Sequence, residues 1–324
     1  MVTDARSLKI VFFGTPEFAA PTLQALHESR HQVVGVVTQP DRARGRGQQP
    51  HASAVKQMAD REGIKVLQPE RLRDERFLES LRALDSDLGV VAAYGKILTD
   101  EVLSIPRLGL VNVHASLLPR YRGAAPIHRA VMAGDQLTGV TIMRVVKALD
   151  AGPMISSAVR PIANHETSAE VERDMAQIGA RLLVGTVDAM ADGRATEQPQ
   201  NDADATYAAK IEKTDGIIDW SRPAVEIHNQ IRGLHPWPHA YSELQGERTI
   251  LLRSEVESEL PGVRSAPGTI LDAHADQLRV QTGDGVLRVL VLQREARRPL
   301  TAREFLAGRR IQPGATFLTS RSAQ

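Results

Sequence analysis

The chain has no cysteine in 324 residues, which excludes a disulfide framework and any thiolate-held metal or cluster. Aromatic residues are only 4%, so a protein that works by stacking many bases on aromatic platforms is not expected. No apolar run approaches the roughly 20 residues that a membrane span requires. The opening MVTDARSLKIVFFG lacks the basic start and long apolar core of a secretory leader. Net charge is only +1, so no strong overall attraction to polyanions is built in. A soluble, cytoplasmic, monomeric protein with no membrane association is the expectation.

An apolar content of 42% and a charged content of 24% suit a globular fold, and the length allows two domains. The charge is unevenly spread. From Gly285 onward eight arginines face two glutamates, and Arg42, Arg44 and Arg46 crowd a glycine-broken loop. Such patches suit phosphate binding, or are solvated surface; charge alone leaves both open.

The first half alternates apolar runs with amphipathic stretches. Strands are expected at 8–13, 33–37, 65–67, 88–93, 109–114, 140–146 and 154–159. Helices are expected at 19–26, 53–61, 70–84, 101–104 and 168–190, with Thr15 as a cap and Pro16 at a first helical position. This order predicts an α/β fold: a Rossmann-like, mostly parallel sheet with helices on both faces. The turn Gly14-Thr15-Pro16 is not the glycine fingerprint of dinucleotide folds, and Pro16 removes an amide that could hold a phosphate. A nicotinamide or flavin cofactor is therefore rejected.

Residues 192–206 are small and polar and read as a linker. Beyond them a short helix is expected at 227–231, then a rigid corner at His235-Pro236-Trp237-Pro238. Strands at 249–252, 268–273, 277–282 and 286–293 suggest a small C-terminal β-barrel of OB type. The expected division is a catalytic domain over 1–196, a linker over 197–211 and the barrel over 212–324.

The stretch GLVNVHASLLPRYRGAAPI, 109–127, concentrates the chemistry. Asn112 and His114 are two apart on a strand and so share a face. At the carboxyl end of a parallel strand, where such sheets bind ligands, an amide can hold a developing oxyanion and an imidazole can carry a proton. Two hydrogen-bonded core residues would give the same pattern. Asp150 stands in a later turn, either as a carboxylate facing the imidazole or as a turn-former before Gly152. No metal-ligand cluster is evident, and His27 and His31 read as helix-end and surface residues.

These stretches resemble the folate-dependent formyltransferases. The matching segments include Phe13-Gly-Thr-Pro-Glu-Phe-Ala19, Gln39-Pro-Asp-Arg42 with Gly45-Arg-Gly47, and Ala93-Tyr-Gly-Lys96. Asn112-Val-His114, Ser116-Leu-Leu-Pro119, Arg122-Gly-Ala-Ala-Pro126, Leu149-Asp150 and His235-Pro-Trp-Pro238 continue the match. The resemblance implies that Asn112, His114 and Asp150 are catalytic, and that no metal is used. It implies that Ser116, Leu117, Leu118 and Pro119, with Val91, Ala93 and Tyr94, border a folate site. Arg42, Arg44 and Arg46 would meet the acceptor end of a tRNA. The implied reaction moves the formyl group of 10-formyltetrahydrofolate to the α-amine of methionine on initiator tRNA. Formylation of a small amine, such as a nucleotide sugar or glycinamide ribonucleotide, and a non-catalytic RNA-binding role are the alternatives. Pro153 stands where many relatives carry a second aspartate.

Overall fold

The computed structural model describes residues 6–44, 49–257 and 265–319, with the backbone alone at 42–44, 49 and 50. In chain order the first part runs β1 (Lys9–Gly14), α1 (Ala20–His27), β2 (Gln32–Val37), β3 (Arg42–Arg44), β4 (Gln49–His51), α2 (Ala54–Arg61), β5 (Val66–Leu67) and α3 (Glu75–Arg82). It continues with β6 (Leu88–Ala92), α4 (Asp100–Leu103), β7 (Leu110–His114), β8 (Arg122–Gly123), α5 (Pro126–Ala133), β9 (Leu137–Arg144), β10 (Met154–Pro161) and α6 (Ser168–Ala191).

After Lys9 every residue of β1 is buried, the signature of a strand covered on both faces. It pairs in parallel with β2 and β6, and β6 pairs in parallel with β7. The full order is β10-β9-β7-β6-β1-β2-β5, with β9 antiparallel to β7. The chain winds from β1 toward β5 and then crosses to β6 on the other side. The switch point therefore lies between β1 and β6, where an open α/β sheet forms its ligand crevice. Val11, Phe13 and Val37 pack with Phe77, Leu78 and Leu81 of α3 in one core cluster.

Three local readings need correcting. The helix expected at 70–84 begins only at Glu75, because the Asp74 carboxylate accepts from Phe77 N (3.2 Å) and caps it there. Thr15 does not cap a helix; its hydroxyl donates to the Tyr94 carbonyl at 3.1 Å. His31 is buried, not superficial: Leu8 N donates to its Nδ1 (3.2 Å), and burial pulls its pKa below the usual value.

Close packing divides the chain into two units. The first comprises 1–123, 138–160 and 172–207; the second takes 124–137, 161–171 and 208–324. The later elements are β11 (Tyr207–Ala208), α7 (Ala224–Gly233), β12 (Ala240–Leu244), β13 (Glu247–Glu257), β14 (Ile270–His274), β15 (Gln277–Gln281), β16 (Val286–Arg294), β17 (Leu300–Thr301), α8 (Ala302–Ala307) and β18 (Phe317–Leu318). An antiparallel sheet runs β14-β15-β16-β13-β12-β18. Its two ends meet: Phe317 N donates to Gly268 O and Ile270 N to Ala315 O, both at 2.8 Å. That closure makes the expected barrel, filled by Trp220, Ile227, Leu251, Val289, Phe305 and Phe317. The corner after α7 carries cis peptides at His235–Pro236 and Trp237–Pro238.

Candidate active site

Strand alternation puts Val111 and Val113 into the core and leaves Asn112 and His114 on the opposite face. Asn112 lies in register with Val91 of β6 and Met143 of β9. Its side chain forms no hydrogen bond with another described residue. His114 is buried, and its Nε2 lies 2.9 Å from the Tyr121 carbonyl. A carbonyl can only accept, so Nε2 carries the hydrogen. The other nitrogen, Nδ1, faces Asp150 Oδ2 at 3.7 Å.

Asp150 sits in the left-handed region at φ 47°, and its carboxylate accepts from Gly123 N at 2.9 Å. Gly152 follows closely; a Cβ there would collide with the Arg144 carbonyl oxygen. The structure thus sets His114 against Asp150, with Asn112 two residues earlier on the same face of β7 and Tyr121–Gly123 as the backbone run that touches both His114 and Asp150.

The segment after His114 is knitted to β9. The Ser116 carbonyl accepts from Thr141 Oγ1 (2.7 Å), which in turn accepts from Leu118 N (3.2 Å). The Ser116 hydroxyl is committed to Arg120 O at 2.6 Å. Leu118 is buried, Leu117 half-buried, and the Leu118–Pro119 peptide is cis.

Beside the switch point, Val91 is half-buried, Ala93 is exposed at φ 47°, and Gly95 also has positive φ. Tyr94 points the other way. Its ring packs edge-on to Phe13 with centroids 5.7 Å apart, and burial pushes its phenol up to about 12. Only the Tyr94 main chain stays at the edge, its carbonyl accepting from Thr15 Oγ1 and from Gln39 Nε2 at 2.9 Å. Arg46 lies outside the described residues, and of Arg42 and Arg44 only the backbone is described, as β3 paired with β4.

One group escaped the sequence reading. The polar stretch taken as a linker carries Gln200, whose Nε2 donates to the carbonyls of Asp150 (2.8 Å) and Gly152 (2.7 Å). Its Oε1 accepts from Arg122 Nε (3.1 Å) and Nη2 (2.8 Å). Arg122, almost fully buried, also donates to Asp202 Oδ1 at 2.7 Å. A buried arginine in a motif was the available signal; its partners lie about 80 residues on, where no local pattern points. Among the described residues no three His, Asp or Glu side chains converge to hold a metal.

The formyl transferase family matches residues 8–187, and the formyl transferase C-terminal domain matches 210–310. A methionyl-tRNA formyltransferase from Citrifermentans bemidjiense is 46% identical over 307 residues, covering 95% of either chain. Its counterpart from Stutzerimonas stutzeri is 47% identical over 305 residues, covering 94% of this chain and 96% of its own. The solved N-formyltransferase of Helicobacter canadensis, a complex with folinic acid and dTDP-3-aminofucose, aligns with a TM-score of 0.68 at 19% identity. That alignment covers 87% of this chain and 99% of the other, and speaks for the fold. With both domain matches in order and near-full-length relatives of this identity, the chain belongs to the formyl transferase family, on its methionyl-tRNA formyltransferase branch.

Proposed function

We propose that the chain transfers the formyl group of 10-formyltetrahydrofolate to the free α-amine of methionyl initiator tRNA. The observation that carries this reading is His114 facing Asp150 at the carboxyl edge of β7, with Asn112 on the same strand face, in a chain 46% identical to a methionyl-tRNA formyltransferase along almost its whole length. The Asn112 amide, without a partner among the described residues, and the exposed Ala93 turn at the switch point fit a folate donor held there.

The folate supplies an activated formyl carbon. The chain supplies the charge and proton management around it. Asn112 donates a hydrogen bond to the formyl oxygen as negative charge gathers there during attack by the amine. His114, with Nε2–H held by Tyr121, takes a proton at Nδ1 from the amine as its nitrogen bonds to the formyl carbon, and returns it to the folate nitrogen as that nitrogen's bond to the carbon breaks. Asp150 provides the counter-charge for the imidazolium. Ser116 to Pro119 and the main chain of Val91 to Tyr94 would border the folate. Arg42, Arg44 and Arg46 would receive the acceptor end of the tRNA, and the basic barrel its phosphates. In this reading the protein is a cytoplasmic monomer, with the chemistry in 1–196 and the barrel in 212–324.

The test supplies formyl-folate with Met-charged initiator tRNA, uncharged tRNA or free methionine. Formylation confined to the charged tRNA is expected, with steep loss at high salt as phosphate contacts are screened. Equal activity on free methionine would sink the tRNA reading.

A further inference from the structure

We propose that Gln200, held by Arg122, is a positioning residue for this reaction, setting the main chain of the Asp150 turn and so the place of the Asp150 carboxylate against His114. The proposal rests on the reading of Asp150 as a group of the active site.

Gln200 uses its whole hydrogen-bonding capacity on one task. Both amide hydrogens go to carbonyls flanking Ala151, those of Asp150 and Gly152. Both oxygen lone pairs take hydrogens from the Arg122 guanidinium. The amide cannot turn over: a flipped group would set oxygen against two carbonyls and an NH2 against a cation. The guanidinium therefore fixes the amide, and the amide fixes the turn.

The turn needs fixing. Asp150 holds a left-handed conformation that residues with a Cβ disfavour, and such backbone persists only where neighbours over-determine it. Three consecutive residues do this from one side. The Tyr121 carbonyl sets the imidazole, the Gly123 amide holds the carboxylate, and the side chain between them reaches the turn through Gln200. The Arg122 backbone is anchored in turn, its N donating to Thr206 O at 2.8 Å. The separation of 3.7 Å between His114 and Asp150 is thus set by this frame rather than by their own contact.

The experiment is a double-variant cycle read by formyl transfer against pH, using the full chain with both substrates. Gln200→Ala should lower kcat roughly 10- to 100-fold, the scale expected for a displaced catalytic group, and should move the pH profile while the KM of each substrate changes little. In an Asp150→Asn background the same change should alter kcat by less than about twofold, because the two act as one unit. Gln200→Glu keeps the Arg122 partner, and with it the fold, but has no hydrogens for the two carbonyls; it should lose turnover as Gln200→Ala does. The same loss from Gln200→Ala in both backgrounds, or wild-type turnover and pH profile in Gln200→Glu, would overturn the proposal. Wild-type turnover in Asp150→Asn alone would overturn the reading of Asp150 itself, and that outcome involves no Gln200 variant.

Discussion

His114 and Asp150 face each other across 3.7 Å, Nδ1 to Oδ2, while the far nitrogen of the imidazole is already held by the Tyr121 carbonyl. This arrangement separates charge from shape. Asp150→Asn retains an oxygen to accept from Gly123 N, removes the negative charge and exchanges the second oxygen for an NH2. Turnover should fall roughly 100-fold or more, the scale of a lost acid–base contribution, with the melting temperature nearly unchanged. Single-turnover formyl transfer alongside thermal melts would check it.

Asn112 is the complementary case, an amide with no partner among the described residues. Its removal leaves no orphaned group in the protein, so Asn112→Ala should scarcely affect folding. One oxyanion donor is worth about 3–4 kcal/mol, and turnover should fall roughly a hundredfold or more with folate affinity little altered. A variant that turned over near the wild-type rate would remove Asn112 from the mechanism.

His31 gives a pH dependence of stability. Burial is the main cause holding its pKa below the unfolded value of 6.5, against the opposing pull of Asp188. Well above 6.5 the ring is neutral in both folded and unfolded chains, and no penalty arises. As pH falls below 6.5 the unfolded chain takes up a proton that the folded chain resists, so stability declines. Protonation would also displace the bond from Leu8 N. Melting temperatures measured between about pH 7 and about pH 5 should fall more steeply for the wild type than for His31→Gln.

Inside the barrel, Trp220 Nε1 donates to Ser242 Oγ (2.9 Å), which donates to the Leu318 carbonyl (2.7 Å). Ser242 is completely buried. Ser242→Ala would leave the indole N–H unpaired, at a cost of about 1–3 kcal/mol. Denaturant titration followed by tryptophan fluorescence should show that loss, with formyl transfer intact while the fold holds.

Much of the first unit was legible because its signals are local. The β1 run, the α2 helix beginning near Ser53 and the alternation along β7 each declare themselves within a few residues. The pairing of His114 with Asp150 needed the sheet topology to bring residues of β7 and a later turn together. Tyr94 shows the limit from the other side: its motif marks the site, yet its ring belongs to the core with Phe13. Gln200 was hidden because its four bonds join segments about 50 and 80 residues away, and polar composition reads the same in a tether as in a brace. Barrel closure through Gly268 and Phe317 likewise leaves no mark in either neighbourhood.

The two units are threaded through each other along the chain, the second claiming 124–137 and 161–171 from between stretches of the first. A gene cut after codon 207 would therefore split the second unit. It would carry α5 without its packing partners, since Ala125 and Met132 lose Ile211 and Leu234. The barrel, for its part, cannot shut until Phe317 has left the ribosome, because its main chain is what closes the sheet onto Gly268.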